Sequence, residues 1–380
     1  MNMFPKILKP SRWSGGVSLL WNGSDGLLSS LFSSAREPFP SNVFLFDSAR
    51  NALYHYLLFK GCSQKRAHVC SFTCDAVTDV FKDLKCELSL YHLTDYLGCT
   101  SKLNLGKDGV LLNQVSFGVS AFSDEVLDHL NEKTIVIDDL SLSYGAGFIA
   151  NNQEIKRPAV ISFECSKSIT FGWAGALFLP INEGKLFAKY YQNLKRPNLL
   201  EDLLRILIAE VNIKSVKYGN KILFLLWIFF RLLGLQRKSE KSSSSRSRAQ
   251  ARLGTISQKI IHNSWADINK RLEKSNNIHS RIANALKEKE FRVVSKVNSL
   301  FSSPRVCFQV DHGRDKIKSK FFEFSIECGD WFSVPPTAVL NAEDQQMYAG
   351  SNLGKYLNLP CQYSISDKKI QKILNVIDEL

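Results

Sequence analysis

The chain has 380 residues, 44% of them hydrophobic and 22% charged, with a formal net charge of +13 at neutral pH. Those proportions exclude a fibrous or wholly disordered protein, and the length favours two domains or one large α/β domain with a smaller appendage. Nine cysteines are scattered without CxxC spacing and too thinly for a disulfide scaffold. Free buried thiols are therefore expected, and no metal site, even at the closest pair, Cys70 and Cys74.

The N-terminal MNMFPKILKPSRWSGG is basic but has no apolar run leading to a small-residue cleavage site. A secretory signal is not expected there, and a cytoplasmic location is. Excess positive charge would ordinarily point to nucleic acid or an anionic surface. Here it is local: from Lys214 through Arg231 to Arg252 the basic residues face a single acid, Glu240.

In chain order, Ser48 to Lys60 has apolar residues at helical spacing, HVCSF at 68–72 reads as a buried strand, and Asp75 to Leu84 repeats the helical pattern. VLLNQVSF at 110–117 is again strand-like, Ser123 to Leu130 is a short helix with Ser123 as N-cap, and TIVIDDL at 134–140, AVISFE at 159–164 and GALFLP at 175–180 are further strands. Continuous apolar strands alternating with helices predict a mostly parallel sheet covered on both faces.

Beyond Ile181, LLEDLLRILIAEV is an amphipathic helix, followed by ILFLLWIFFRLLGL at 222–235 and the low-complexity QRKSEKSSSSRSRAQ, expected as a solvated loop. The 222–235 run is shorter than the roughly 20 residues needed to span a bilayer and contains Arg231. It reads either as a buried helix or, with its basic flanks, as peripheral membrane contact through 222–250. Helical periodicity returns from Ser257 to Lys289, and VCFQV at 306–310, FFEFSI at 321–326 and a helix from Asp367 to Leu380 complete a smaller C-terminal α+β domain. The expected divisions are 1–200, a helical and basic insert at 201–256, and 257–380. No aromatic reading surface accompanies the Ser/Arg tract, so nucleic acid is not expected as a partner.

Four separated pieces carry chemistry: Ser48-Ala49-Arg50-Asn51-Ala52-Leu53 opening a helix; Ser71-Phe72-Thr73-Cys74 at the end of a strand; Val136-Ile137-Asp138-Asp139 ending another; and Ser162-Phe163-Glu164-Cys165-Ser166-Lys167, followed by Thr170 and Gly172. Each has an ordinary reading alone, since most lysines after strands are surface residues and paired carboxylates cap helices or bind metals. Together they match the needs of pyridoxal 5'-phosphate: a lysine amine for a Schiff base, a carboxylate to keep the ring nitrogen protonated, and donors for the phosphate. Lys167, Asp139 and the helix start at Ser48 to Arg50 supply these, with the Ser162 hydroxyl adding to the anion site.

In that order the pieces resemble the DegT/DnrJ/StrS-type sugar aminotransferases, a fold-type-I pyridoxal-phosphate family. The matching parts are Ser48 to Leu53, Ser71 to Thr73, Asp138-Asp139 and Ser162-Phe163 with Lys167 five residues past the serine; LPCQYSISDKKIQKIL is similar to the family's closing stretch. The resemblance implies that Lys167 carries the cofactor, that Asp139 contacts its ring nitrogen, and that Ser162 and the Ala49-Arg50 backbone hold its phosphate beside Thr73 and Cys74. It further implies amino transfer from an amino acid, glutamate by likeness, to a nucleotide-linked keto sugar, and a homodimer with a partner-chain asparagine, Asn193 or Asn198, completing the site. Ala49-Arg50 stands for the usual Gly-Thr, Cys74 for a stacking aromatic, Val115 for a His, and Leu142 for a His or Gln. Those departures define an alternative, a catalytically impaired relative acting as a membrane-peripheral binding or scaffold protein in surface polysaccharide assembly.

Overall fold

The computed structural model describes residues 39–94, 96–99, 109–145, 155–164, 167, 169–171, 173–218, 225–226, 229, 252–297, 301–330 and 355–380. The N-terminal stretch, residues 236–250 where a loop is expected, most of the 222–235 run, Cys165 and Gly172 lie outside them.

The main sheet is built from β1 (Val43–Phe46), β2 (Arg66–Cys70), β3 (Glu87–Tyr91), β4 (Val110–Ser116), β5 (Val119–Ser120), β6 (Ile135–Leu142), β8 (Ala159–Ser162) and β9 (Gly175–Phe178); β7 (Tyr144–Gly145) stands apart. Its order is β1-β9-β8-β6-β4-β2-β3, with β5 hairpinned onto β4. Pairings from β3 through β2, β4 and β6 to β8 are parallel, whereas β9 runs antiparallel to both β8 and β1. It follows that β1, β2, β4, β6 and β8 deliver their carboxyl ends to one edge, where β9 starts.

Both faces are covered, which is why the strands read as unbroken apolar runs. One face carries α1 (Ala49–Phe59), α2 (Asp75–Asp83) and, after the short α3 (Asp124–Asp128), α4 (Ile181–Gln192). Leu53, Leu57, Val80, Phe81 and Phe187 from these helices pack on Val69, Leu112, Ile137 and Leu177. α1 begins where it does because Ser48 accepts a hydrogen bond from the Asn51 amide, and Ser123 caps α3 through the Val126 amide. After α5 (Leu199–Tyr218), the other face is covered by α6 (Thr255–Ser264), a 3-10 turn at Trp265–Asp267 and the start of α7 (Ile268–Glu288). Their Ile260, Ile261, Trp265 and Leu272 meet Leu140, Ile161 and Phe178.

α7 then runs into a smaller module. There β10 (Arg292–Val293), β12 (Arg305–Gln309) and β13 (Tyr356–Pro360) form a three-stranded antiparallel sheet, backed by α7, α8 (Arg314–Glu323) and α9 (Asp367–Asp378). Two ties bind it to the main sheet: β11 (Phe301–Ser302) pairs with β7, and Val294, Cys307 and Tyr356 share a cluster with Phe72 and Phe117. This is the fold-type-I architecture expected from the sequence.

One expected strand is wrong. FFEFSI at 321–326 ends α8 and turns at Ser325, whose φ is 57°. Phe321 and Ile326 are buried and Phe324 packs partly against the same core while Phe322 is exposed, so the aromatic run is one helical stripe and a turn rather than a strand. The helix expected from Ser257 to Lys289 is interrupted by the 3-10 turn.

Candidate functional site

The shared carboxyl edge gathers the sequence pieces from distant parts of the chain. Asp139 lies on β6, buried, in register with Gln114 of β4, and its Oδ1 accepts the Ser141 amide at 2.9 Å. Burial pushes its carboxyl up; the Ser141 hydrogen bonds and the Lys167 ammonium draw it back down. Lys167, half-buried, is thus placed within electrostatic reach of Asp139 although 28 residues separate them in sequence (167 − 139).

Cys74 completes this cluster. It is the N-cap of α2, an exposed residue, and its thiol is pushed up chiefly by burial of the sulfur and further by Asp139, with Lys167 drawing it back. Thr73 beside it is buried, as is Phe72, whose carbonyl accepts from the Gln114 amide nitrogen.

The phosphate-binding candidates lie on the neighbouring strands. Ser162 ends β8 and pairs with Gly175 of β9. Gly175 in turn sits against the first turn of α1, where a Cβ would meet the Ala49 nitrogen at 2.1 Å and the Ser48 carbonyl carbon at 2.6 Å. Ser48 also forms a bridge with Ala174, which holds a φ of 83°, a strained region for a residue with a side chain. The structure therefore brings Ser162 and the Ala49-Arg50 helix start to one place, with Arg50 half-buried. Asp47 steadies the turn: its Oδ1 accepts from Asn51 Nδ2 at 2.8 Å and Ser48 Oγ at 3.3 Å.

Asp138 does something different from Asp139. Successive strand residues face opposite sides of a sheet, and Asp138 turns to Asn113 Nδ2 at 2.7 Å and Arg157 Nε at 3.5 Å. Burial raises its carboxyl and Arg157 lowers it. Arg157 also pairs with Asp124 and with Asp128, at 3.3 Å for the latter. The sequence reading missed Arg157 and Gly175; a lone arginine before Pro158 gave no signal, and the glycine opening GALFLP gave a weak one.

Val115 and Leu142, at the positions of the polar groups expected by resemblance, are buried and apolar. Asn193 and Asn198 lie at the end of α4 and before α5, both exposed. A concavity of about 440 Å³ lined by Phe59, Lys60, Asn182, Glu183 and Leu186 sits at the opposite end of α1 from Ser48 and holds none of these groups. Among the described residues, no group of three or more His, Cys, Asp or Glu is placed to hold a metal ion.

Sheet order, helical layers and the appended module define a fold-type-I pyridoxal-phosphate transferase architecture. Within that class, the chain has the fold of the DegT/DnrJ/EryC1/StrS aminotransferases. It is similar to such an aminotransferase from Brucella abortus at 16% identity, over 89% of this chain and 85% of that one, with a TM-score of 0.59. It matches a protein from Streptococcus pneumoniae, described as a sugar aminotransferase and solved in its PLP-form, at 13% identity over 93% and 95% of the two chains, TM-score 0.59. The aminotransferase TlmJ from Streptoalloteichus hindustanus aligns at 12% identity over 94% and 96%, TM-score 0.58. No protein-family profile and no curated protein matches the sequence.

Proposed function

We propose that this chain is a pyridoxal-phosphate-dependent aminotransferase of the DegT/DnrJ/StrS type. The observation that carries the reading is the convergence of Lys167, Asp139 and Cys74 at the carboxyl edge of the sheet. The donor set fits the cofactor: one amine, one buried carboxylate, and a helix start with a neighbouring serine for the phosphate. Lys167 would attach the cofactor, Asp139 would face its ring nitrogen, and Ser162 with the Ala49 and Arg50 amides would hold its phosphate, with Thr73 and Cys74 lining the ring side. Bound there, the cofactor supplies an electron-withdrawing ring that weakens a bond at the carbon bearing the substrate amine.

The remaining chemistry belongs to the chain. Lys167, once released, is the group placed to take a proton from the donor carbon and return it to the cofactor side as general base and acid. Asp139 in its ionised form holds the opposite proton, on the ring nitrogen. The reaction proposed moves an amino group from an amino acid, glutamate, to a nucleotide-linked keto sugar, in a homodimer whose partner chain supplies an asparagine. Borohydride reduction of the protein with pyridoxal phosphate should add the cofactor's mass to the peptide bearing Lys167, and Lys167→Ala should stay unmodified and colourless. An unlabelled Lys167 in the wild-type protein refutes the reading.

Val115 and Leu142 favour a second reading, because buried apolar groups there remove polar partners from the ring's neighbourhood. A chain that binds the cofactor at Lys167 yet transfers no amino group from any amino acid to a panel of nucleotide-linked keto sugars is the impaired relative. It would then act as a binding or scaffold protein in polysaccharide assembly.

A further inference from the structure

Three neighbouring strands change character at the same level. On the face that carries α1, α2 and α4, β2, β4 and β6 present Val69, Leu112 and Ile137 to one apolar cluster. Two residues on, the chain returns to that face, and there stand Ser71, Gln114 and Asp139. Gln114 is in parallel register with Asp139. The register of Ala67 with Val110 and of His68 with Leu111, continued past Cys70, sets Ser71 beside Gln114. The Gln114 side chain reaches the same turn: its Nε2 donates to the Phe72 carbonyl and, at 2.9 Å, to Ser116 Oγ.

Two polar atoms in this row are unsatisfied. Ser71 and Gln114 are 0% and 2% exposed, yet neither Ser71 Oγ nor Gln114 Oε1 has a hydrogen-bond partner among the described residues. The carboxamide gains nothing by turning over, because a carbonyl only accepts and so keeps the nitrogen on Phe72. Each buried atom left this way costs about 1–3 kcal/mol, and such atoms in native proteins are as a rule paired. A lone acceptor beside a hydroxyl that both donates and accepts is the complement of a ligand hydroxyl.

Pyridoxal phosphate carries one. In its ring the hydroxyl and the phosphate arm lie on opposite sides of the line from the ring nitrogen to the carbon that joins the lysine. With the nitrogen at Asp139 on β6 and the phosphate at Ser162 on β8 and the start of α1, the hydroxyl falls across β6, where the next strands are β4 and β2. We propose that Gln114 and Ser71 bind the phenolic hydroxyl of the cofactor, Gln114 Oε1 accepting its proton and Ser71 Oγ donating to its oxygen. Two strands thereby supply the polar contact that the buried, apolar Val115 and Leu142 do not. A substrate hydroxyl fits less well, because both atoms lie at the level of Asp139, and substrate joins at the Lys167 end of the ring. The inference rests on the pyridoxal-phosphate reading.

Equilibrium binding of pyridoxal phosphate and of 3-deoxypyridoxal phosphate, which lacks that hydroxyl, tests it. The wild type should bind the cofactor about tenfold or more tightly than the analogue. In Ser71→Ala and in Gln114→Leu the preference should fall to about threefold or less. Comparing ratios cancels the hydroxyl's own effect on the bond to Lys167. The cofactor-free Ser71→Ala protein, which loses an unpaired atom, should melt no lower than the wild type; should Gln114→Leu fail to fold, Ser71→Ala carries the test. Variants that keep the wild-type preference overturn the proposal. So does a lower melt of cofactor-free Ser71→Ala, since its hydroxyl would then be paired within the chain. A Lys167 that takes no borohydride label fails the cofactor reading itself, whereas a labelled Lys167 with equal preference in all three proteins fails this inference alone.

Discussion

Gly175 and Ala49 touch backbone to backbone: a Cβ on Gly175 would lie 2.1 Å from the Ala49 nitrogen. The first turn of α1 can approach β9 and Ser162 only because that Cβ is missing. Gly175→Ala should therefore cost about 2 kcal/mol of stability or more and weaken pyridoxal phosphate binding at least about tenfold. Urea denaturation and a cofactor titration read the two effects. A variant with normal affinity would show that the helix start does not hold the phosphate.

Asp139→Asn should separate stability from function. The buried carboxyl of the cofactor-free chain has its titration pushed up, so its charged form is the penalised one. That penalty is present above the folded pKa and relieved as pH falls through it. At neutral pH the cofactor-free Asp139→Asn protein should melt above the wild type, while losing the protonated-ring absorbance of the bound cofactor. A lower melting temperature would mean that the Ser141 hydrogen bond and the Lys167 charge outweigh the burial penalty in the empty site.

Histidine 279 sets a pH limit on the small module. It is 3% exposed, with Nε2 2.9 Å from Ser295 Oγ, and burial together with Lys287 holds its pKa down to about 4. The unfolded chain takes up this proton near pH 6.5, so between there and about 4 the unfolded state binds more protons and stability falls with pH. The loss across that window is about 3 kcal/mol. Urea midpoints measured through it should slope in the wild type and flatten in His279→Gln.

Cys74 is the exposed one of the eight free cysteines described, at a helix N-terminus beside Lys167. Burial pushes the Cys74 thiol above the ordinary cysteine range, and Lys167 with the Val77 and Ala76 amides offsets that only in part, so its access to reagent rather than thiolate character sets its reactivity. Iodoacetamide should therefore label Cys74 first in the native protein, and pyridoxal phosphate should slow that labelling. Peptide mass mapping distinguishes the sites. Equal labelling with and without the cofactor would remove Cys74 from the ring's neighbourhood.

The fold class was legible because burial on both faces leaves a mark on each strand, as in VLLNQVSF and TIVIDDL. The short β1 and β13 were harder. Val43–Phe46 and Tyr356–Pro360 have four and five residues, too few for a period to show, and their pairing partners are distant. FFEFSI failed for a related reason, since alternation over six residues fits a strand and a helix end equally well. Lys167 and Asp139 were legible as an ordered pair of motifs. The contact of Gly175 with Ala49 and the ion pairs of Arg157 were not, because both depend on which strands become neighbours, and no local pattern encodes that.

Asp138 and Asp139 are chemically alike and adjacent, yet each has partners that the other could not use. Arg157 and Asn113 await one; Ser141 and Lys167 await the other. Because side chains alternate along a strand, sliding β6 by one position would either put Asp139 before Arg157 and Leu140 beside Lys167, or put Ile137 before Arg157 and Asp138 beside Lys167. The pair thus works as a proofreading mark for strand alignment: a sheet threaded one residue out forfeits either the Arg157 ion pair or the carboxylate beside Lys167, and only the native register keeps both.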